Sequence, residues 1–301
     1  MIAASPFVSY LINGLTIGAF LALVALGYTM VYGIIRLINF AHGDLFMVGA
    51  FLGWTVLNVV ASRLPIALSV LMALLIAMAL TGALGTVISR MVYQPLLRAP
   101  RLSILIAALA VSLGLQNGVL LLYGPVPKTY PHVLPASGLS LAGVRVSYPQ
   151  LGMFLLSLLL MGALYLFVHR TAVGTAMRAL AMDQDAARLM GINVERHIML
   201  AFFLGSLLAA AAGVMEGLYY TQISFFMGFL IGLRAFTAAV LGGIGNIPGA
   251  MVAGFLIGLL QSFSAGYLSA QWTDVFVFVV LILVLVVKPT GLFGERVVER
   301  M

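Results

Sequence analysis

Long apolar runs, interrupted at a few places by arginine, proline and glycine, set the pattern of this chain. Twenty-six uncharged residues separate Arg63 from Arg90, another 26 separate Arg101 from Lys128, and 23 lie between Arg145 and His169. A bilayer's hydrocarbon core is about 30 Å thick, so a helix rising about 1.5 Å per residue crosses it in roughly 20 residues. Each run is therefore predicted to cross a membrane as one helix. Spans are expected at about 7–33, 45–60, 66–89, 102–123, 151–168, 198–219 and 272–287. The 39 uncharged residues between Arg234 and Asp274 are too many for one helix. The run Gly242-Gly-Ile-Gly-Asn-Ile-Pro-Gly249 must break them. The expected fold class is all-α, a polytopic integral membrane helix bundle forming a single domain over residues 1–301, with about 8–9 transmembrane helices. The count turns on two interruptions, the polar cluster at 39–44 and the glycine-rich run, which are read as broken or re-entrant helices. Non-helical backbone at membrane depth needs protein or a water-filled cavity around it.

Two segments stand outside this pattern. Residues 124–149 carry five prolines, Lys128 and Arg145, and read as an extended loop with a short hairpin. Residues 169–197 form the longest polar stretch. A candidate internal repeat joins the two breaks: Asn39-Phe-Ala-His42-Gly43 leads into Gly49–Gly53, and Asn246-Ile-Pro-Gly249 leads into Gly254–Gly258. Paired interruptions in two halves are a signature of transporters with broken helices facing the pathway.

Composition excludes several classes. Charged residues make up 8% of the chain, against about 25% in soluble domains, and mean hydropathy is +1.17. There are 15 basic and 8 acidic residues, a net charge of +7. No basic stripe with interleaved aromatics accompanies that charge, so no nucleic-acid partner is expected. The arginines report orientation instead. Arg36, the 90–101 loop, the 169–197 segment and the C-terminal tail hold 11 of the 15 basic residues, so that side is read as cytoplasmic. The 124–149 loop then faces outward as a periplasmic loop, and with nine spans the amino terminus is outside. Cysteine is absent, which removes disulfides and thiolate metal sites. The first basic residue is Arg36, so no cleavable signal pattern is read and the first span is expected to stay in place.

Candidate chemistry is sparse. Gly14/Gly18, Gly213/Gly217, Gly228/Gly232 and Gly254/Gly258 are small-xxx-small pairs and read as close helix packing. In Asp183-Gln-Asp185-Ala186-Ala187-Arg188-Leu189-Met-Gly191, Asp183 suits an N-cap, Asp185 the positive first turn, Arg188 the negative end and Gly191 the C′ position. The result is a helix of about two turns whose Ala186, Leu189 and Met190 share a dockable face. Glu216 inside a span either lines an aqueous path, pairs with Arg234 or sits at a wet outer interface. His42 and Asp44 flank the first break without a third ligand, so no metal site is expected, and Asp44 is read as a cap for the following helix. No Gly-x4-Gly-Lys motif occurs, so the chain has no P-loop for ATP. No nucleophile–base set is evident, and His132, His169 and His197 fall in loops or at span ends.

Four segments carry a resemblance: Gly27-Tyr-Thr-Met-Val-Tyr-Gly33 through Asn39-Phe-Ala-His42-Gly43-Asp44, Ala179-Leu-Ala-Met-Asp183 through Gly191-Ile, Ala235-Phe-Thr-Ala-Ala-Val-Leu-Gly-Gly243-Ile-Gly245 with Pro248-Gly-Ala250, and Lys288-Pro-Thr-Gly-Leu-Phe-Gly294. In this order they are similar to branched-chain amino acid permeases of bacterial ATP-binding-cassette importers, of the high-affinity uptake type, across nearly the whole chain. Two departures are visible: Glu216 is an unusual acid for its position, and Gln261 stands where an acid is common. The resemblance implies a multi-pass subunit of the bacterial inner membrane, not an enzyme, carrying leucine, isoleucine or valine. It implies no cofactor in this chain, because ATP is bound by two cytoplasmic ATPase subunits. A periplasmic binding protein and a second permease, identical or paralogous, complete the assembly within the lipid. Asp183, Asp185, Ala186, Ala187, Arg188, Leu189 and Gly191, within the 169–197 coupling loop, are the expected ATPase contact. Asn39, His42, Gly43, Glu216, Gly243, Gly245 and Asn246 are expected along the translocation path. Urea, amides or other amino acids on the same scaffold, or an ion-coupled transporter, are the alternatives.

Overall fold

The apolar runs become a bundle of long helices joined by short polar connections. The computed structural model describes residues 4–36, 39–97, 99–131, 137–141 and 144–294. In chain order come α1 (Ala4–Ile35), α2 (His42–Val60) and α3 (Ile66–Ile88), which passes through a wide π-type turn (Ser89–Tyr93) into α4 (Gln94–Leu96). Next are α5 (Arg101–Tyr123), β1 (Lys128–Thr129), β2 (Gly138–Leu141), β3 (Val144–Ser147), α6 (Tyr148–Arg170), α7 (Ala172–Met182) and α8 (Gln184–Leu189). Then follow α9 (Val194–Tyr220), β4 (Gln222–Ile223), α10 (Met227–Gly242), α11 (Ile247–Tyr267), a 3-10 turn (Ala270–Trp272) and α12 (Thr273–Val287).

Among the described residues, eight helices are long and apolar enough to cross a membrane. The shorter α10, of 16 residues, is about 24 Å long. It starts beside β4, which pairs with β1 of the proline-rich loop, and ends where Gly243 meets Gly294. Its first turn packs on the start of α2, where a Cβ at Gly228 would stand 2.6 Å from the Gly43 carbonyl oxygen, so it is a shorter helix outside those eight. Gln150 at the start of α6 donates to Asn13 Oδ1 at 3.2 Å, which puts the start of α1 on the side of the 124–149 loop. The 124–149 loop holds the expected hairpin, β2 antiparallel to β3. His132 of that loop and the tail beyond Gly294 lie outside the described residues.

The most buried span is α9, 72% inside the protein, whereas the Ala270–Val287 span is only 6% buried. The alanine- and glycine-rich sequence of α9 explains its position, because small side chains let α2 and α3 approach its backbone. The glycine pairs also act as packing devices. A Cβ at Gly258 would stand 2.2 Å from the Gly18 nitrogen and one at Gly254 2.5 Å from Ala22 Cα, so α1 and α11 touch along their length. Ser147, Thr171, Asp183, Asn193 and Asn246 each accept a backbone N–H at the start of α6, α7, α8, α9 and α11, satisfying donors that the first helical turn leaves open.

Candidate functional site

The break between α1 and α2 lies inside the bundle. His42 sits against Gly27, where an added Cβ would stand 2.1 Å from His42 Nε2. Gly27 is eight residues before the end of α1, so α2 begins about 12 Å in from that end. Arg36 leaves α1 with φ 57, a left-handed turn that redirects the chain inward. Asn39, 3% exposed, then organises the entry to α2: its Oδ1 accepts from the Ala41 N–H at 3.1 Å and from the Tyr93 hydroxyl at 2.6 Å. The wide turn Ser89–Tyr93 delivers that tyrosine; such turns re-aim side chains within a helix. Asp44 does not cap α2, contrary to expectation. It lies in the first turn, and its Oδ1 accepts from Gln116 Nε2 of α5 at 3.0 Å. The Ala41 N–H it could reach back to is already bonded to Asn39 Oδ1, and Gln116 of α5 supplies a donor instead. Asn39 Nδ2, His42 Nε2 and Asp44 Oδ2 find no partner among the described residues. Gly43 seats this turn on α10, since a Cβ there would stand 2.3 Å from the Gly228 carbonyl.

On the arginine-rich side, α7 and α8 form a knob tied to α1. Asp183 caps α8, its Oδ1 accepting from the Asp185 and Ala186 N–H groups at 2.9 and 3.0 Å. Gly191 ends it with φ +82 and open space beside it, the left-handed position read from the sequence. Ala187 is 4% exposed and faces the bundle, while Leu189 and Met190 are 89% and 82% exposed. Ala186 is also exposed. The dockable face thus consists of Ala186, Leu189 and Met190, and Ala187 anchors the helix from behind. Arg36 Nη2 donates to the Ala181 and Met182 carbonyls at 3.2 and 3.1 Å. Gln184 Nε2 donates to the Ile34 carbonyl. The knob is therefore bonded to the end of α1 that precedes the polar break.

Glu216 belongs to neither place. It lines a cavity of about 590 Å³ with Ile17, Leu21, Ile231, Arg234 and Gln261, rimmed by Pro127 and Gln222 on the side of the proline-rich loop. Arg234 does not form its ion pair with Glu216: its Nε and Nη2 donate to Asp274 Oδ1 and Oδ2 at 2.7 and 3.0 Å. Asp274, in the first turn of α12, reaches the guanidinium across 40 residues of sequence. Glu216 and Gln261, the two departures in the sequence, face one cavity.

The residues expected along a path thus occupy three places. Asn39, His42 and Gly43 form the inner break. Gly243, Gly245 and Asn246 form a turn between α10 and α11, where Asn246 Nδ2 donates to the Phe293 carbonyl at 2.9 Å and a Cβ at Gly33 would lie 3.8 Å from Gly245. Glu216 stands apart in the cavity. Asn39 and Asn246 play the same local role, each accepting a backbone N–H where a helix begins. Sequence reasoning missed Tyr93, Gln116 and Tyr130. Tyr130 is fully buried, donates to the Ala50 carbonyl at 2.7 Å and fills the space left by Gly53 and Gly217. No periodicity signals a loop tyrosine that plugs a helix crossing.

Residues 10–285 match the family profile described as "Branched-chain amino acid transport system / permease component". The chain is 43% identical over 300 residues to the high-affinity branched-chain amino acid transport permease BraD of Pseudomonas aeruginosa, covering 98% of each chain. It is 40% identical over 306 residues to the corresponding permease LivH of Escherichia coli, covering 98% of this chain and 97% of that one. A more distant similarity, 34% over 197 residues, is to the autoinducer 2 import permease LsrC of an Enterobacter species, covering 62% of this chain and 55% of that one. In solved structures, PsaBC of Streptococcus pneumoniae in complex with a Fab superposes with a TM-score of 0.53 at 13% identity, over 96% of this chain and 97% of that one. At that identity the likeness is one of fold.

Proposed function

This chain belongs to the family of permease components of branched-chain amino acid transport systems, and from that premise we propose how its parts divide the work. It is a permease subunit of an ATP-binding-cassette importer for branched-chain amino acids, multi-pass in the inner membrane. Its partners are two cytoplasmic ATPase subunits that bind the ATP, a periplasmic binding protein that delivers substrate and a second permease subunit. It performs no covalent chemistry and holds no cofactor of its own. Residues 169–197 form its coupling segment and residues 124–149 its outer loop.

One observation carries the energy-coupling reading: a short, capped helix presents Leu189 and Met190 to solvent while Arg36 and Gln184 bond it to the end of α1. A helix of six residues is too short to be stable alone. It is held by its cap, by Ala187 and by α1. Two large exposed apolar side chains on such a knob suit the groove of a partner protein, the helix-in-groove mode. When the ATPase pair closes, the knob moves as a lever. The pull passes through the Arg36 and Gln184 bonds into α1 and reaches the Asn39–Tyr93 contact at the break. Gly43 against Gly228 lets α2 and α10 shift as packed backbones. The turn at Gly243 and Gly245 gives α11 a hinge beside α1.

Reconstitution in proteoliposomes with the ATPases, second permease and binding protein tests this reading. Leucine should accumulate only with ATP inside and binding protein outside, and Leu189→Asp should abolish uptake while the permease still inserts. Accumulation driven by a proton gradient without ATP would overturn it.

A further inference from the structure

The cavity beside Glu216 has walls of two kinds. Ile17, Leu21 and Ile231 supply apolar surface, and Glu216, Gln261 and Arg234 supply polar groups. At about 590 Å³ it falls within the size range of small-molecule sites, about 300–1,000 Å³. Its charges are unevenly paired. Asp274 neutralises Arg234 by occupying Nε and Nη2, which leaves Nη1 and leaves Glu216 without an ion pair among the described residues. Gln261 is 6% exposed, and its Nε2 finds no acceptor among the described residues. An ionisable residue and an unsatisfied amide within a span are costly unless something uses them.

A small molecule that satisfies all of these groups carries one cation, one anion and one aliphatic branch. We propose that this cavity is a holding site for a free aliphatic α-amino acid: Glu216 receives the ammonium group, Gln261 Nε2 and Arg234 Nη1 the carboxylate, and Ile17, Leu21 and Ile231 the side chain. A bound metal ion would need further carboxylate or imidazole ligands, and no group of three or more such residues occurs among the described residues. The rim at Pro127 and Gln222 opens toward the side from which a binding protein would deliver. The site deepens the transport reading and rests on it. It also places substrate contact within a single permease subunit, against α1, α9, α10 and α11.

The test uses the assembled importer in detergent, without binding protein or nucleotide, and saturation-transfer NMR on added small molecules. L-leucine should bind in the millimolar range through its methyl groups. 4-Methylpentanoate, which lacks the ammonium, should bind at least tenfold more weakly. Glu216→Gln should weaken leucine at least tenfold, and Glu216→Gln with Gln261→Glu should recover most of that loss, because it returns a carboxylate to the same cavity. ATPase activity of each complex verifies assembly. Unchanged leucine affinity in Glu216→Gln overturns the proposal, as does an absent signal in a wild-type complex that still accumulates leucine with ATP and binding protein. A wild-type complex that accumulates no leucine under those conditions overturns the transport reading, and this site with it.

Discussion

Arg36 is the sharpest place to test the lever. Its guanidinium donates to two carbonyls at the end of α7, at 3.2 and 3.1 Å, and its backbone turns the chain toward the break with φ 57. Hydrogen bonds from charged donors are worth about 1.5–3 kcal/mol each when shielded. Arg36 is exposed, so about 1 kcal/mol each is the fitting figure, or about 2 kcal/mol for the pair. A coupling of that size corresponds to roughly a 30-fold bias between joined and separated states. Arg36→Ala should therefore lower leucine imported per ATP hydrolysed by about an order of magnitude, with ATPase binding retained because Leu189 and Met190 are untouched. Arg36→Gly separates the side chain from the backbone. It loses the same two bonds but relieves a left-handed residue, a gain of about 1 kcal/mol in stability over Arg36→Ala. The assay measures leucine uptake and phosphate release in the same proteoliposomes. If Arg36→Ala keeps the wild-type ratio, or if Arg36→Gly restores it, force does not pass through these bonds.

Other perturbations report on packing and capping. Gly27→Ala would put a Cβ 2.1 Å from His42 Nε2, an overpacking of about 1–3 kcal/mol. The melting temperature should fall, and His42→Ala in the same chain should recover part of the loss; an unshifted melt would contradict the tight fit. Asp183→Ala removes the cap of α8 at about 0.5–2 kcal/mol, so amide exchange across Gln184–Leu189 should quicken while α9 stays protected. Tyr130→Phe deletes the 2.7 Å bond to the Ala50 carbonyl, worth about 1 kcal/mol. Burial also pushes the Tyr130 phenol up. The folded state thus favours its neutral form, a contribution complete below the unfolded value of about pH 10 and lost as pH rises above it. Above that pH, the stability of Tyr130→Phe should fall less steeply than that of the wild type.

The span count, left at eight or nine, was not legible in the sequence, whereas the approximate ends of seven spans, the side holding the arginines and the capped knob after the fifth span were. Each is local or depends only on the solvent. A helix must satisfy its own backbone in lipid, a run of about 20 apolar residues must cross, and Asp183 and Gly191 act within a few residues of themselves. Partnerships across the bundle were not legible. Arg234 meets Asp274 rather than Glu216, Asp44 meets Gln116 rather than its own helix end, and Tyr130 leaves a proline-rich loop to fill the gap between two glycines. These pairings depend on which helix faces lie together. Glycine spacing shows that two helices can approach closely, and only the packed bundle determines which two do.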